Sequence, residues 1–369
     1  MFKIKKQISR LYTASVLGNL SLTGAWVAIL ASRGYSLVEI GIAETIFHIT
    51  SLIFEIPSGI FADVFGRKKM LIVSTIMRML GSLVMILSCN LFMVCLSIAF
   101  HALSYNFSSG TGDALAYDSL KMAKKENEFE RYEANSLAIY RLCSGISTLC
   151  AGFALFIGHK IAYGTNLVMG VVQIFILKSL CEVYVGKREE RAKGASVTYI
   201  RHELLGCFRE SLLFLKSAGK KIMKLMLCNS FVGAVDILLL FFLQAKLPET
   251  GISRWGLGFA LFFMEMGGIV GSKLILKLPK LRYRNVFVMS LLFVLAGVFV
   301  EHSGIYLIMT LGGFFAAIGD DALQVRTNAI LQDMFPSEQR ATLTSVESFS
   351  FSIIMIFLSP LAGIVFSYW

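Results

Sequence analysis

The chain has 369 residues, of which 56% are hydrophobic and only 16% are charged, and its mean hydropathy is +0.70. A soluble domain of this length would carry far more charge, so the composition excludes one and predicts an all-α membrane protein. The net charge of +11 could indicate a nucleic-acid partner, but the positive residues lie in the loops between apolar stretches, which indicates a lipid bilayer instead.

Eleven stretches are apolar and long enough to cross a bilayer, which takes about 20 residues. The predicted spans are 11–32, 37–61, 70–89, 91–119, 134–157, 162–185, 222–243, 256–276, 285–300, 304–325 and 342–366. The first span resembles a signal peptide, but its length and the helix that follows indicate that it is retained.

Lysine and arginine are concentrated in alternate loops. The loops of one side contain only Arg33, Lys160, Lys246 and Arg254, whereas most of the 35 basic residues fall at the amino terminus and in the loops of the other side. Because basic residues mark the cytoplasmic side, we expect a cytoplasmic amino terminus.

The turn between the second and third spans reads Gly59-Ile60-Phe61-Ala62-Asp63-Val64-Phe65-Gly66-Arg67-Lys68-Lys69. Gly59 and Asp63 share a helix face, where Gly59 allows close helix approach, and Gly66 allows a tight turn before Arg67. The pattern resembles the signature loop of the major facilitator superfamily. This resemblance implies two six-helix bundles related by pseudo-twofold symmetry, a monomeric carrier, no enzyme activity and no cofactor.

The fourth span ends in the stretch 109–121, which resembles the corresponding segment of bacterial facilitator proteins related to drug exporters. Its Asp118 matches the position that completes a charge cluster with Arg67. The resemblance therefore predicts that Gly59, Asp63, Gly66, Arg67 and Asp118 form a conformational latch, with Asp63 facing the positive end of the eleventh helix near Thr342. The alternative is a static topology anchor. The likeness also predicts the cytoplasmic membrane of a bacterium as the location.

A faint internal repeat supports two halves. Residues 112–115 in the fourth span parallel 320–323 in the tenth, and 130–137 parallel 339–346 at nearly the same offset. We expect an amino-terminal six-helix bundle over 1–186, a basic cytoplasmic linker with an amphipathic helix over 187–221, and a carboxyl-terminal bundle of five helices over 222–369. This pattern predicts a twelfth helix that the sequence does not contain. The alternatives are a truncated sequence and a natural eleven-span variant.

Ionisable side chains inside spans are costly, so each is a candidate proton or substrate site. Glu44, His48 and Glu55 fall on one stripe of the second helix, because successive residues are 100° apart. Such a stripe can face a wet cavity, although Glu55 could equally pair with a neighbouring helix.

Other candidates lie in both predicted halves. Asp113 and Asp321 occupy repeat-related positions, and Asp236 lies about 21 Å into the seventh span at 1.5 Å per residue. Asp236 is a candidate titrating or substrate-pairing group, with a salt bridge to Lys178 or Arg141 as the alternative. Arg141 itself could hold an anionic substrate, but we favour a carboxylate partner.

These features predict a secondary transporter that exports small amphipathic or drug-like molecules by proton-coupled alternating access. The alternatives are a proton-coupled importer of a small polar solute and an inactive truncated copy. The superfamily's antiporter signature is a glycine-rich fifth helix with a Gly-Pro pair, whereas this chain has only Gly145 and Gly152 there. No motif for ATP hydrolysis, nucleophilic catalysis or a metal site is found in the sequence.

Overall fold

The computed structural model describes residues 3–183, 206, 219–334 and 340–368, and this part of the chain is helical throughout, without a strand. The α-helices are α1 (Ile4–Asn19), α2 (Trp26–Ser32), α3 (Leu37–Phe65), α4 (Arg67–Leu87), α5 (Leu91–Ser108), α6 (Thr111–Met122), α7 (Phe129–Leu149), α8 (Ala151–Ile157), α9 (His159–Lys178), α10 (Lys220–Lys246), α11 (Arg254–Leu276), α12 (Tyr283–Glu301), α13 (Tyr306–Met334) and α14 (Arg340–Tyr368). The all-α membrane fold predicted from composition is confirmed.

The described residues contain nine helical stretches that are long and apolar enough to cross a membrane, or ten if the bent pair α7 and α8 is one span. The predicted count of eleven is therefore not confirmed. The first predicted span, 11–32, divides into α1 with 16 residues and α2 with seven, each too short to cross alone. The intervening turn is rich in serine, threonine and glycine, which favour turns over helix.

The chain is organised as two compact units. Unit one consists of Met1–Leu22, Thr50–Ser147 and His159–Glu210, and unit two consists of Thr23–Ile49, Thr148–Gly158 and Ser211–Trp369. Short segments of the first half of the sequence, including α2 and α8, are thus grouped with unit two. The predicted linker 187–221 and its amphipathic helix lie almost wholly outside the described residues, so the predicted domain limits stay a prediction.

Two glycines end helices at positions that matter for the sites below. Gly66 separates α3 from α4 with φ of 103°, and Gly110 separates α5 from α6 with φ of 65°. Side chains on Cβ disfavour positive φ, so glycine is the residue that makes each break possible. The fourth predicted span is consequently two helices, α5 and α6.

Close packing of α11 against α13 positions the carboxylates of unit two. A Cβ at Gly267 or Gly271 would collide with the carbonyl oxygens of Phe314 and Ile318 on α13. The glycines therefore let the two backbones approach as bulkier residues could not. This contact fixes the segment of α13 that carries Asp320 and Asp321.

Candidate functional site

The charged turn of unit one contains a buried ion pair. The Nη1 atom of Arg67 lies 2.5 Å from Oδ2 of Asp118, and the two side chains are only 15% and 10% exposed. The same Nη1 atom also donates to the carbonyl oxygen of Ala114, one turn before Asp118 on α6. The structure therefore brings together Gly66, Arg67 and Asp118, which the sequence grouped as a latch.

Glu182 completes this turn, and the sequence analysis missed it. Its Oε1 accepts from the backbone N–H of Arg67 at 3.0 Å, and its Oε2 accepts from the backbone N–H of Lys68 at 2.8 Å. These N–H groups have no partner within α4 because they belong to its first turn. A carboxylate also suits the positive end of the helix dipole. Lys68 donates in turn to the carbonyl of Lys178 at 2.7 Å.

Two other residues of the predicted latch are placed differently. Gly59 lies on α3, is exposed, and has no atom of the described residues within 4 Å of an added Cβ, so the expected close helix approach there stays a prediction. Asp63 lies on α3, but its side chain is outside the described part of the structure. The side chain of Thr342, its expected partner on the eleventh predicted helix, is also outside it.

Glu44 and His48 form a hydrogen-bonded pair in unit two. The Nε2 atom of His48 lies 3.1 Å from Oε1 of Glu44, and its Nδ1 atom lies 3.4 Å from the hydroxyl of Ser352 on α14. Both side chains are buried, with exposed fractions of 6% for His48 and 8% for Glu44, and the imidazole of His48 contacts the rings of Phe47 and Phe351. Such a chain of hydrogen bonds can pass or store a proton.

Packing of α3 against α14 holds this pair in place. Pro360 has no N–H, so the carbonyl of Ile356 lacks its usual helical donor. The hydroxyl of Thr45 on α3 lies within hydrogen-bond distance of that carbonyl, at 3.2 Å, and of the carbonyl of Gly41 in its own helix, at 3.0 Å. Gly41 lies one turn away, where an added Cβ would be 2.5 Å from the carbonyl oxygen of Ser359. A proline, a threonine and a glycine thus fix the spacing of the two helices around His48.

A second polar region of unit two is the carboxylate cluster, formed by the buried Asp236 on α10 and by the half-buried Asp320 and Asp321 on α13. Asp236 is 4% exposed, and its Oδ1 atom has no hydrogen-bond partner among the described residues. Its charge interacts with both Asp320 and Asp321. Gly233, one turn away on α10, makes room for Asp320, whose Oδ1 would lie 3.1 Å from an added Cβ.

Polar side chains extend from this cluster along α10. Asn229, two turns before Asp236, donates to Oε1 of Glu347 on α14 at 3.0 Å. The Oδ1 atom of Asn229 and the hydroxyl of its buried neighbour Ser230 have no hydrogen-bond partner within the described ranges. Unit two therefore contains a row of polar side chains that extends from Glu347 through Asn229 and Ser230 to Asp236, within otherwise apolar helices.

Unit one contains a cavity of about 440 Å³ between α1, α4, α5, α6, α7 and α9. Its lining includes Arg78, His101, Asp113 and Gln173, together with several serines and tyrosines. Asp113 was a predicted site residue, whereas Arg78 and His101 were not proposed. The cavity is thus a polar space within a bundle that composition alone describes as apolar.

The remaining predicted residues are not drawn into these sites. Glu55 lies in unit one, whereas Glu44 and His48 belong to unit two, so the predicted stripe is divided between the units. Glu55 is near enough to Tyr105 for their charges to interact. Arg141 lies on α7 and is exposed, and its predicted carboxylate partner stays a prediction.

Comparison with known proteins agrees with this arrangement. A family model of the Major Facilitator Superfamily matches residues 11–300. A 64-residue stretch is 38% identical to an uncharacterized MFS-type transporter, YxaM, of Bacillus subtilis (strain 168), and this match spans 16% of each chain. The known relative thus bears on only a small part of the chain.

Solved structures with the same fold cover nearly the whole chain. A mutant form of the nucleoside transporter NupG has a TM-score of 0.74 at 14% identity, with 96% of this chain and 90% of that one covered. The xylose transporter XylE from E. coli, in an inward open conformation, has a TM-score of 0.69 at 11% identity, with coverage of 98% and 90%. A peptide transporter, POT, has a TM-score of 0.70 at 13% identity, with coverage of 97% and 88%.

The membrane-spanning helices and the match to the family model define a membrane transporter. The chain belongs to the Major Facilitator Superfamily, because the family model covers most of its length.

Three functional candidates were missed for separate reasons. Glu182 is distant in sequence from Arg67, and no local pattern links them. Asp320 adjoins Asp321, but the repeat relates Asp113 to Asp321, so only Asp321 was named as a candidate. Arg78 lies inside the third predicted span, 70–89, where a charge is a functional candidate, but it was not among the predicted site residues.

Proposed function

We propose that this protein couples the transport of a small polar organic solute to the movement of protons. The observation that carries the proposal is Asp236, a carboxylate buried in a membrane-spanning helix with an unpartnered oxygen beside Asp320 and Asp321. A structural carboxylate at such a depth would be expected to have a cationic or hydrogen-bonding partner.

The chemistry of coupling follows from electrostatics. Three neighbouring carboxylates surrounded by apolar helices repel one another strongly when charged, because the local dielectric constant is low. The cluster therefore favours states in which a proton is shared among its members. Alternating exposure of the cluster to the two sides of the membrane would load and release that proton.

The Glu44 and His48 pair is the second candidate proton site. It offers a carboxylate, an imidazole and a hydroxyl in one hydrogen-bonded line. A carboxylate and an imidazole in hydrogen-bond contact can exchange a proton, so the pair suits proton transfer. It lies on α3 and α14, away from the α10 position of Asp236 in sequence, so the two sites can be tested separately.

The choice of a polar solute rests on the cavity of unit one and on the fold relatives. The cavity is lined by hydroxyl, amide and charged groups. The likeness to structures named as nucleoside, xylose and peptide transporters supports a substrate of the same polarity.

Export of amphipathic or drug-like compounds is the second candidate, favoured by the likeness of 109–121 to drug-exporter relatives. The 30 phenylalanines give it little support. Several are among the most exposed side chains, including Phe92 at 75% and Phe156 and Phe357 at 69%. Exposed rings on membrane helices suit contact with lipid.

The charged turn is proposed to act as a latch during transport. Arg67, Asp118 and Glu182 join the start of α4 to α6 and to the end of α9, so release of this network would free three helices together. The basic loops support a cytoplasmic amino terminus in a bacterial inner membrane, and a monomer is proposed as the working state.

Purified protein in liposomes tests the coupling. A panel of nucleosides, sugars, amino acids, dipeptides and cationic dyes is offered with an inward or an outward proton gradient. We expect a polar solute to accumulate with a gradient of one orientation, and a protonophore to abolish the accumulation. The productive orientation gives the direction of transport. Accumulation that persists with the protonophore would rule out proton coupling, and accumulation of dyes alone would favour the drug-export alternative.

A further inference from the structure

The cavity of unit one lies where two predicted spans are broken. The last residues of α1, Gly18 and Asn19, form one part of its wall, and Gly110 at the break between α5 and α6 forms another. Helix ends inside a membrane expose backbone groups that a continuous helix would satisfy. In transporters, such breaks are found where a polar ligand or ion is bound.

Arg78 forms the positive pole of this cavity. It lies 11 residues into α4, roughly 17 Å from the start of that helix at 1.5 Å per residue. Its Nη1 donates to the carbonyl of Gly18, and its Nη2 donates to Oε1 of Gln173 at 2.5 Å. Its Nε is buried without a partner, and Arg78 forms no ion pair with any described residue. The imidazole of His101 is close enough for its charge to interact with Arg78, and its Nε2 is likewise buried without a partner.

Asp113 forms the negative pole of the same cavity. It is the third residue of α6, and no basic side chain among the described residues forms an ion pair with it. The ring of Tyr132 lies near Asp113, and Tyr105 and Tyr140 also line the wall. Faces of tyrosine rings attract ammonium groups.

A cavity with one cation and one anion, neither of them ion-paired, is complementary to a ligand that carries both charges. We propose that the cavity of unit one binds a small zwitterion with a carboxylate at Arg78 and an ammonium group at Asp113. This inference rests on the proposed function, because it names the class of the polar solute.

The size of the cavity supports a ligand of amino-acid or dipeptide size. A cavity of about 440 Å³ lies in the range of small-molecule sites, about 300–1,000 Å³. A carboxylate would meet the Nε atom of Arg78 and the Nε2 atom of His101, which have no hydrogen-bond partner among the described residues. The ligand would thereby supply the charges that both poles lack.

The competing explanation is structural. Arg78 bonds carbonyls at the end of α1, and Asp113 lies at the start of α6, so each charge also faces the favourable end of a helix dipole. In that case substitution of Arg78 or Asp113 would not change the affinity of the protein for any zwitterion. A binding measurement therefore separates the two explanations.

The experiment measures binding to the purified full-length chain in nanodiscs, without a proton gradient. The probes are the twenty amino acids and a set of dipeptides built from them. Two analogues of the best binder follow, one that lacks the amino group and one that lacks the carboxylate. We expect a zwitterion to bind, and each truncated analogue to bind at least tenfold more weakly. Equal binding of the carboxylate-only analogue, or no binding by any zwitterion, would overturn the proposal.

Variants assign the two poles. We expect Arg78→Gln and Asp113→Asn each to raise the Kd for the zwitterion at least tenfold, and Arg78→Lys to be intermediate because it keeps the charge. Arg284→Gln, at an exposed position, is the matched control and should leave the Kd unchanged. If Arg78→Gln fails to fold, Arg78→Lys and Asp113→Asn still decide, and unchanged Kd values in both would contradict the assignment.

Failure of this inference can be told apart from failure of the proposed function. If no zwitterion binds but another solute accumulates with the proton gradient, the proposed substrate class is overturned and the proposed proton coupling stands. If a zwitterion binds but a proton gradient has no effect on its transport, the proposed proton coupling is overturned and the assignment of the cavity as the zwitterion site stands.

Discussion

Gly66 has a backbone conformation that other residues adopt at a cost. Its φ of 103° and ψ of 139° lie in a region populated almost entirely by glycine. We predict that Gly66→Ala lowers the free energy of unfolding by about 1–3 kcal/mol. Thermal unfolding in detergent measures the change. The control is Gly164→Ala in α9, where an added Cβ meets no atom within 4 Å and φ is not positive. Equal losses in both variants would contradict the assigned role of Gly66.

Asp118 is the buried partner of Arg67. We predict that Asp118→Asn lowers the free energy of unfolding by about 3 kcal/mol, because it removes a buried counter-charge 2.5 Å from the Arg67 guanidinium. The control pair is Lys125 and Glu128, whose atoms are also 2.5 Å apart but whose side chains are 40% and 49% exposed. Glu128→Gln should have little effect. Similar losses in the two variants would show that burial does not set the strength of the Arg67 pair.

The turn also shows what a local pattern can predict. Arg67 and Asp118 were paired by their likeness to a known signature, and Gly66 was placed by the need for a tight turn. Glu182 was not found, because its carboxylate reaches the first N–H groups of α4 from a segment after α9. A helix start without a local capping side chain is a signal of such a distant cap, but it does not name the residue.

At the scale of the helix, Thr45 replaces a hydrogen bond that proline removes. We predict that Thr45→Val lowers the free energy of unfolding by about 1–2 kcal/mol, because the carbonyl of Ile356 loses its donor. The effect should shrink in a Pro360→Ala background, where the new N–H at position 360 can donate to that carbonyl.

A double-mutant cycle measures this coupling between α3 and α14. The control is Thr13→Val, since the hydroxyl of Thr13 bonds only within its own helix, to Ser9. Additive losses for Thr45→Val and Pro360→Ala would contradict the proposed compensation.

Helix positions could be predicted far better than helix interruptions. The spans 37–61 and 256–276 correspond closely to α3 and α11, because a long apolar run has few alternatives to a membrane helix. The breaks after α1 and at Gly110 were not predicted, because average hydropathy changes little across a few residues. The breaks matter most for function, since both line the cavity of unit one.

The orientation of the whole molecule can be tested with its own cysteines. Cys89 and Cys181 are exposed, and the basic loops place them on the outer and the inner side respectively. In variants that keep only Cys89 or only Cys181 of the seven cysteines, we predict that an impermeant maleimide labels Cys89 on intact cells and Cys181 only after permeabilisation. The reverse pattern would contradict a cytoplasmic amino terminus.

The division of charge between the two units also belongs to the whole molecule. Unit two holds Asp236, Asp320, Asp321 and the pair of Glu44 and His48, whereas the cavity of unit one holds Arg78 and Asp113. Sequence alone singled out Asp236 for its depth, but it could not predict that two carboxylates of α13 would adjoin it. In the proposed mechanism, unit two handles protons and unit one binds the solute.

The most direct test of proton coupling compares two kinds of transport by Asp236→Asn in liposomes. Asparagine has nearly the same shape as aspartate but cannot exchange a proton at that position. We predict that the variant loses proton-driven accumulation of the solute by at least tenfold, yet still exchanges labelled for unlabelled solute without a gradient. Glu126→Gln, at an exposed position, should behave as the unsubstituted protein in both assays. Proton-driven accumulation by Asp236→Asn at the unsubstituted rate would contradict the central claim.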